Sequence, residues 1–214
     1  MAFHVFDQIT AGIITSAVRI AIALFIFGIY YKNRNKVALY FGLFFVLFAV
    51  HGIFRTLSAT TGEPFWFFIH KVALVGGSVF ILQGLGEMGI DWIKKYFVVP
   101  ILAVVTVLLA YYNAYLVGGI AGEAANIWLS LPSFALSGIG LILAGYYFYA
   151  LGKDLPVWGK NVMVAGFILE GLLNFAVLWL IPVGLTGLAF YMGLLFTAMI
   201  GLGWLLSLSS GGGD

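Results

Sequence analysis

Seven long apolar runs, separated by short turns, constrain the fold of this 214-residue chain more than any other feature. A membrane-spanning helix needs about 20 mostly apolar residues, whereas a membrane β-strand alternates over about ten. The runs are continuous, and only 8% of the residues are charged, against about 25% in soluble domains. The sequence therefore predicts an all-α, polytopic bundle of seven transmembrane helices. The predicted helices are residues 9–31, 37–59, 65–86, 96–118, 127–151, 160–181 and 186–208.

These helices are expected to form a single transmembrane domain at 1–208, followed by a flexible polar tail at 209–214. The first nine residues contain no Lys or Arg, so we expect no cleavable signal peptide with a basic start, and the first helix should be a permanent span. The chain has no cysteine, which excludes disulfides, thiolate ligands and cysteine nucleophiles.

Basic residues distinguish the two ends of the predicted bundle. Lys and Arg occur in the turns after the first, third and fifth helices and are absent from the alternate turns. Turns rich in Lys and Arg remain on the cytoplasmic side of a membrane. The sequence thus predicts a multi-pass protein of the cell (plasma) membrane, with its N-terminus outside and its C-terminus cytoplasmic. The basic turn residues are Lys32, Arg34, Lys36, Lys94, Lys95, Lys153 and Lys160.

A set of polar residues lies inside the predicted helices, where each charge costs about 2.5–3.5 kcal/mol on insertion scales. At a rise of about 1.5 Å per residue, all of them fall in the outer half or near the middle of the membrane. His51 and Arg55 are four apart and share a helix face, as do Glu170 and Asn174. We expect the set to line a polar pocket that is open to the outside. Its members are Arg19, His51, Arg55, His70, Lys71, Glu170 and Asn174.

The same residues also admit a purely structural interpretation. Glu170 would neutralise Arg19 between the first and sixth helices, while Arg55 and Lys71 would reach the outer headgroups. In the functional interpretation, the pocket contains three cations, Arg19, Arg55 and Lys71, and one carboxylate, Glu170. Glu63 is expected at its rim. Such a pocket favours a small anionic ligand or a carbonyl-bearing headgroup such as a quinone.

No cofactor is expected, although two histidines require consideration. His51 and His70 lie at similar depth on adjacent antiparallel helices, a placement compatible with the two axial ligands of a b-type haem. With Glu170 they would supply three ligands for a transition metal. Their separation across one turn, however, matches no recognised ligand motif.

Signatures of catalysis are absent from the sequence. It contains no GxSxG, HExxH or GxxxxGK[ST] motif, which would indicate a hydrolase, a zinc protease or a phosphate-binding loop. Residues 186–208 contain no lysine for a retinal Schiff base. We therefore do not expect an enzyme.

The layout of the first three helices carries a family resemblance. It consists of an outer N-terminus, the basic turn YYKNRNK (30–36), and a short outer loop leading to WFFIHK (66–71). In these features the chain resembles the seven-helix sensory modules at the N-termini of some microbial histidine kinases. Those modules signal to a cytoplasmic output domain, and the sequence to Asp214 contains none. The resemblance therefore implies a separate membrane or cytoplasmic protein partner, or a longer chain.

The leading expectation is an integral membrane protein that binds a ligand or senses a signal together with such a partner. One alternative is a haem- or quinone-binding membrane subunit of an electron-transfer complex. Others are a small-solute or ion transporter and a structural membrane subunit. The expected surroundings are the lipid bilayer, and no nucleic acid partner is expected.

Overall fold

The structure, a computed structural model, describes residues 2–153 and 155–209, and of residues 2–8, 208 and 209 it describes the backbone alone. Most of these residues are helical and none of them lies in a strand, which confirms the predicted all-α class. Of the predicted tail, only the helical backbone of residue 209 is described.

Within the described part of the chain, nine α-helices are joined by short turns. They are α1 (Ala2–Asn33), α2 (Lys36–Thr61), α3 (Pro64–Glu87), α4 (Asp91–Lys95), α5 (Val98–Tyr111), α6 (Gly119–Ala125), α7 (Leu131–Leu151), α8 (Val157–Leu180) and α9 (Thr186–Ser209).

Among the residues that the structure describes, seven segments are long and apolar enough to cross a membrane, which confirms the predicted number of spans. The fourth span is α5 continued by the π-helical turn Tyr112–Leu116. Its start differs from the predicted residue 96, because Phe97 has a left-handed backbone (φ 52°) that separates α4 from α5.

Local signals in the sequence explain where α2 and α3 meet. Asn35 begins α2 by accepting a hydrogen bond from the Val37 amide, 2.9 Å away. The helix ends at Gly62, whose φ of 73° is readily adopted only without a side chain. Pro64 then opens α3, where its missing N–H is not needed. This two-residue turn makes α2 and α3 antiparallel neighbours.

Six of the long helices form a closed ring in the order α1, α2, α3, α7, α8, α9 and back to α1. The remaining long helix, α5, packs outside this ring, mainly against α3. Aromatic side chains fill the ring near its predicted inner end, where Phe41 lies edge-on to both Phe148 and Phe167. The outer surfaces of the helices are apolar, as lipid contact requires.

Small residues set the close approaches between helices. On α9, Gly193, Thr197 and Gly201 recur every four residues and face α1. A Cβ atom on Gly201 would lie 2.8 Å from the side chain of Ile22. This row therefore serves packing within the bundle, in agreement with the small-residue patterns of membrane helices.

The α8–α9 contact predicts the effect of one added methyl group. A Cβ atom on Gly166 would lie 2.9 Å from both the Ile200 amide nitrogen and the Phe196 carbonyl oxygen. We expect Gly166→Ala to lower the free energy of unfolding by about 1–3 kcal/mol, since backbone must move to relieve the overlap. The measurement is thermal unfolding in detergent. Gly28→Ala is the matched control, because nothing lies within 4 Å of its Cβ position, and equal destabilisation of both variants would contradict the prediction.

Candidate functional site

A cavity lies between helices of the ring and extends toward the end that holds the α2–α3 and α8–α9 turns. Its volume is about 70 Å³, on a measure by which one water molecule needs about 10–15 Å³. The cavity therefore has room for several water molecules or one small molecule. The charged and polar residues on its wall are Arg19, His51, Arg55, His70, Glu170, Asn174 and Thr186.

The structure thus brings six of the seven predicted site residues to one cavity. The seventh, Lys71, is fully buried behind Phe134, with its Nζ atom 4.2 Å from the centre of that ring. Glu63, expected at the rim, is an exposed residue before α3 that does not line the cavity.

Arg19 and Glu170 form a buried ion pair between α1 and α8. Arg19 Nη2 donates to Glu170 Oε1 over 2.9 Å. The other guanidinium nitrogens donate to the Phe48 carbonyl oxygen (3.0 Å) and to Thr197 Oγ1 (3.2 Å). One side chain from α1 therefore contacts α2, α8 and α9, and all three of its nitrogens are engaged.

The second carboxylate oxygen of Glu170 differs from the first in its hydrogen bonding. Glu170 Oε2 is buried and has no hydrogen-bond partner among the described residues. Asn174 lies one turn further along α8, where its Nδ2 donates to the Glu170 backbone carbonyl oxygen over 2.9 Å. The α8 face predicted to be polar thus reaches the cavity with one acceptor unused.

His51 and His70 lie face to face between α2 and α3. Their ring centres are 4.3 Å apart and their planes differ by 26°. His70 Nδ1 lies 3.1 Å from the His51 backbone carbonyl oxygen. His51 Nδ1 and His70 Nε2 are buried without a partner among the described residues.

This arrangement does not fit a haem or a three-ligand metal site. Two imidazoles that ligate one haem iron approach it from opposite faces of the macrocycle, whereas these rings are stacked directly on each other. The described residues also contain no group of three His, Cys, Asp or Glu side chains able to hold a metal, so His51, His70 and Glu170 do not form one.

Lys71 and Arg55 share a carboxylate that the sequence analysis did not include, Glu123 of α6. Lys71 Nζ lies 2.6 Å from Glu123 Oε2, and Arg55 Nη1 donates to Glu123 Oε1. Ser130 Oγ lies 2.9 Å from Glu123 Oε2 and 2.9 Å from Asn113 Oδ1. The expectation that Arg55 and Lys71 reach the outer headgroups is therefore not met, because both are buried against Glu123.

The chain between α5 and α7 folds inward to place Glu123. After the π-helical turn, Gly118 and Gly119 adopt φ values of 96° and 61°, a left-handed conformation that other residues rarely adopt. They reverse the chain, so that the short helix α6 packs on α3 and buries Glu123 to 1% exposure. The segment was expected to be a turn between helices.

One signal in the sequence could have identified Glu123. Arg55 and Lys71 are placed in predicted helices without an obvious counter-charge, and a buried cation without one is strongly disfavoured. Glu123 is the acidic residue of the turn that follows the fourth span, at the same end of the bundle. Counting the positive and negative charges at that end of the bundle would have paired Glu123 with Arg55 and Lys71.

The environment of Glu123 also sets its ionisation. Burial, the largest effect, acts to raise the pKa of this carboxyl group, but Arg55 and Lys71 together outweigh it and lower the pKa from 4.5 to about 2. Glu123 is therefore a carboxylate at neutral pH.

Removing this charge should destabilise the protein. We expect Glu123→Gln to lower the free energy of unfolding by about 3–5 kcal/mol, because two buried cations lose their counter-charge. Thermal or denaturant unfolding in detergent measures the effect. Glu63→Gln, a change at an exposed carboxylate, is the control, and similar stability of the two variants would contradict the assignment.

The ionisation of Glu123 predicts that the folded protein loses part of its stability in acid. Because the pKa of Glu123 is lower in the folded protein than its usual 4.5, its stabilisation is complete above that value and is lost as the pH falls toward 2. We expect this loss in the wild type and not in Glu123→Gln.

Comparison with known proteins does not identify a relative of this chain. No protein-family model, no curated protein and no solved structure matches the chain. The fold itself defines the class, a multi-pass membrane protein with seven candidate membrane-spanning helices. The resemblance to histidine-kinase sensory modules stays a prediction.

Proposed function

We propose that this chain is an integral membrane ligand-binding or sensory protein whose ligand occupies the cavity. The supporting observation is a group of three buried hydrogen-bonding atoms on residues of the cavity wall that have no partner in the described part of the chain: His51 Nδ1, His70 Nε2 and Glu170 Oε2. Buried polar atoms in proteins are almost always hydrogen-bonded, to protein, water or a bound molecule. A small polar molecule that satisfies these atoms is the simplest occupant.

The ion pairs beside the cavity offer a route from binding to a change in the bundle. Arg19 joins four helices, and the Arg55–Glu123–Lys71 cluster joins α2 and α3 to α6. A ligand shifts a conformational equilibrium only through different contacts in its two states. Occupation of a cavity bordered by Arg19 and Arg55 changes the surroundings of both clusters, and a membrane or cytoplasmic partner would respond to the helix movement.

This proposal includes an orientation in the plasma membrane. The turns with Lys and Arg lie at the end opposite the cavity mouth, so the positive-inside rule puts the mouth outside and the C-terminus in the cytoplasm. The cavity would then sample molecules from outside the cell or from the outer leaflet.

The absence of cysteine allows a direct test of this orientation. We expect a membrane-impermeant maleimide to label Glu63→Cys in intact cells and to label Lys32→Cys only after permeabilisation, because exposed residues 63 and 32 lie at opposite ends of the bundle. The unmodified protein is the control for background labelling. The reverse pattern would place the mouth in the cytoplasm.

Ligand binding itself is tested by a thermal-shift screen of small polar and quinone-like molecules on the purified protein. We expect a molecule that raises the unfolding temperature of the wild type by several degrees to have no such effect on Ala189→Phe. Ala189 lines the cavity, and a phenyl group there would fill it.

The alanine variants of His51, Arg55 and Glu170 should weaken binding by about tenfold or more, since each loses a polar contact.

Two controls define the outcomes of this screen. Each variant's own unfolding temperature shows that it folds, and Leu24→Phe, at an exposed position on α1, carries the same ring outside the cavity. A ligand that stabilises the Ala189→Phe variant as much as the wild type would move the binding site elsewhere. If no molecule acts through the cavity, the ligand-binding proposal is wrong.

A further inference from the structure

We infer that the ligand of this cavity is a neutral molecule with a hydroxyl group on an aromatic ring, a phenol or a quinol. This inference rests on the proposed binding function and narrows it to a chemical class. It follows from which hydrogen-bonding atoms are unused, from the charge around them and from the apolar part of the wall.

The first unused atom, His70 Nε2, is an acceptor. His70 Nδ1 lies 3.1 Å from the His51 carbonyl oxygen, and a carbonyl oxygen only accepts, so Nδ1 carries the proton. No carboxylate lies within ion-pair distance of the His70 ring among the described residues, and a buried imidazolium without one is strongly disfavoured. In a neutral imidazole with its proton on Nδ1, Nε2 offers a lone pair.

A second unused acceptor is Glu170 Oε2. The other oxygen of this carboxylate receives the Arg19 guanidinium at 2.9 Å, and an ionised carboxylate has acceptor sites only. The bonds that Arg19 makes use three of its five N–H groups, and Asn174 Nδ2 uses one of two. None of the remaining N–H groups among the described residues bonds to Glu170 Oε2. A ligand that supplies hydrogen-bond donors therefore suits this wall better than one that supplies only acceptors.

Charge argues against an ammonium group as the donor. Three cations and two carboxylates surround the cavity or border its wall, which leaves one positive charge in excess; they are Arg19, Arg55, Lys71, Glu123 and Glu170. A cationic ligand would be repelled by this excess in a medium of low dielectric constant. A neutral hydroxyl group supplies the same donor without that penalty.

The rest of the wall favours an aromatic ring. Phe48, Phe134 and Phe190 line the cavity together with Leu173 and Val177. Aromatic rings pack against one another with a favourable edge-to-face or offset geometry. A hydroxylated ring thus matches both the apolar wall and the unused acceptors, and a quinol is the reduced counterpart of the quinone headgroup expected from the sequence.

The experiment compares an aromatic diol with its dimethyl ether, in which a methyl group replaces each hydroxyl proton. Hydroquinone and 1,4-dimethoxybenzene have the same ring and the same two oxygens, but the dimethyl ether has no hydroxyl proton. Isothermal titration calorimetry of the purified protein under argon gives both dissociation constants. We expect hydroquinone to bind at least about tenfold more tightly, since a hydrogen bond to a charged or buried acceptor contributes about that factor.

Variants connect this preference to the two acceptors. In His70→Phe and Glu170→Gln the ratio of the two dissociation constants should fall by about tenfold, because each change removes one unused acceptor. Glu87→Gln is the matched control and should keep the wild-type ratio, since Glu87 lies at the opposite end of α3 and pairs with Lys94. Unfolding temperatures of all variants establish that they are folded.

The remaining outcomes separate this inference from the proposed function. Equal affinity for both molecules, abolished by Ala189→Phe, would overturn the hydroxyl class and leave the cavity as a binding site. If neither molecule binds at millimolar concentration, water satisfies the acceptors and the inference is wrong, while the wider screen still decides on ligand binding. A ratio unchanged in both acceptor variants would overturn the assignment of His70 Nε2 and Glu170 Oε2.

Discussion

The burial of Arg19, Arg55 and Lys71 inside a bundle surrounded by lipid requires carboxylates close to them, and the chain supplies two, from α8 and α6. Removing a charge from water costs several kcal/mol, which only close partners offset. Glu170 on α8 serves Arg19. Glu123 serves both Arg55 and Lys71, and because it belongs to the chain between two spans, that chain must fold into the bundle. These ion pairs join α1 to α8, and α2 and α3 to α6.

A π-helical turn before α6 and two glycines with positive φ at the start of α6 allow this helix to fold inward. The π-helical turn at Tyr112–Leu116 buries Asn113, which lies 2.9 Å from Ser130 and so joins the Glu123 cluster. Insertions of this kind in α-helices are frequent at functional sites. Here the insertion, the two glycines with positive φ and α6 act together to place one carboxylate.

The carboxylates of the two clusters differ in how completely they are hydrogen-bonded. Both oxygens of Glu123 have partners, although Asn113 Nδ2 beside it has none among the described residues. At the cavity, Glu170 Oε2 and one nitrogen of each stacked histidine lack a partner among the same residues. Half-satisfied polar groups in an apolar interior are expensive. Their position on the wall of one cavity is the basis of the proposed binding site, whereas the Glu123 cluster joins α2 and α3 to α6.

The sequence by itself determined the class of fold. Length, apolarity and turn spacing give seven spans because lipid tolerates only long, internally hydrogen-bonded segments. It also placed His51, Arg55 and Glu170 on inward faces, since helical periodicity alone fixes which residues share a face. It could not decide the partners. The pairing of Lys71 with Glu123 and the stacking of His51 on His70 depend on the rotation and approach of separate helices and on an inward fold. Only the tertiary structure decides such contacts, because they join residues far apart in the chain.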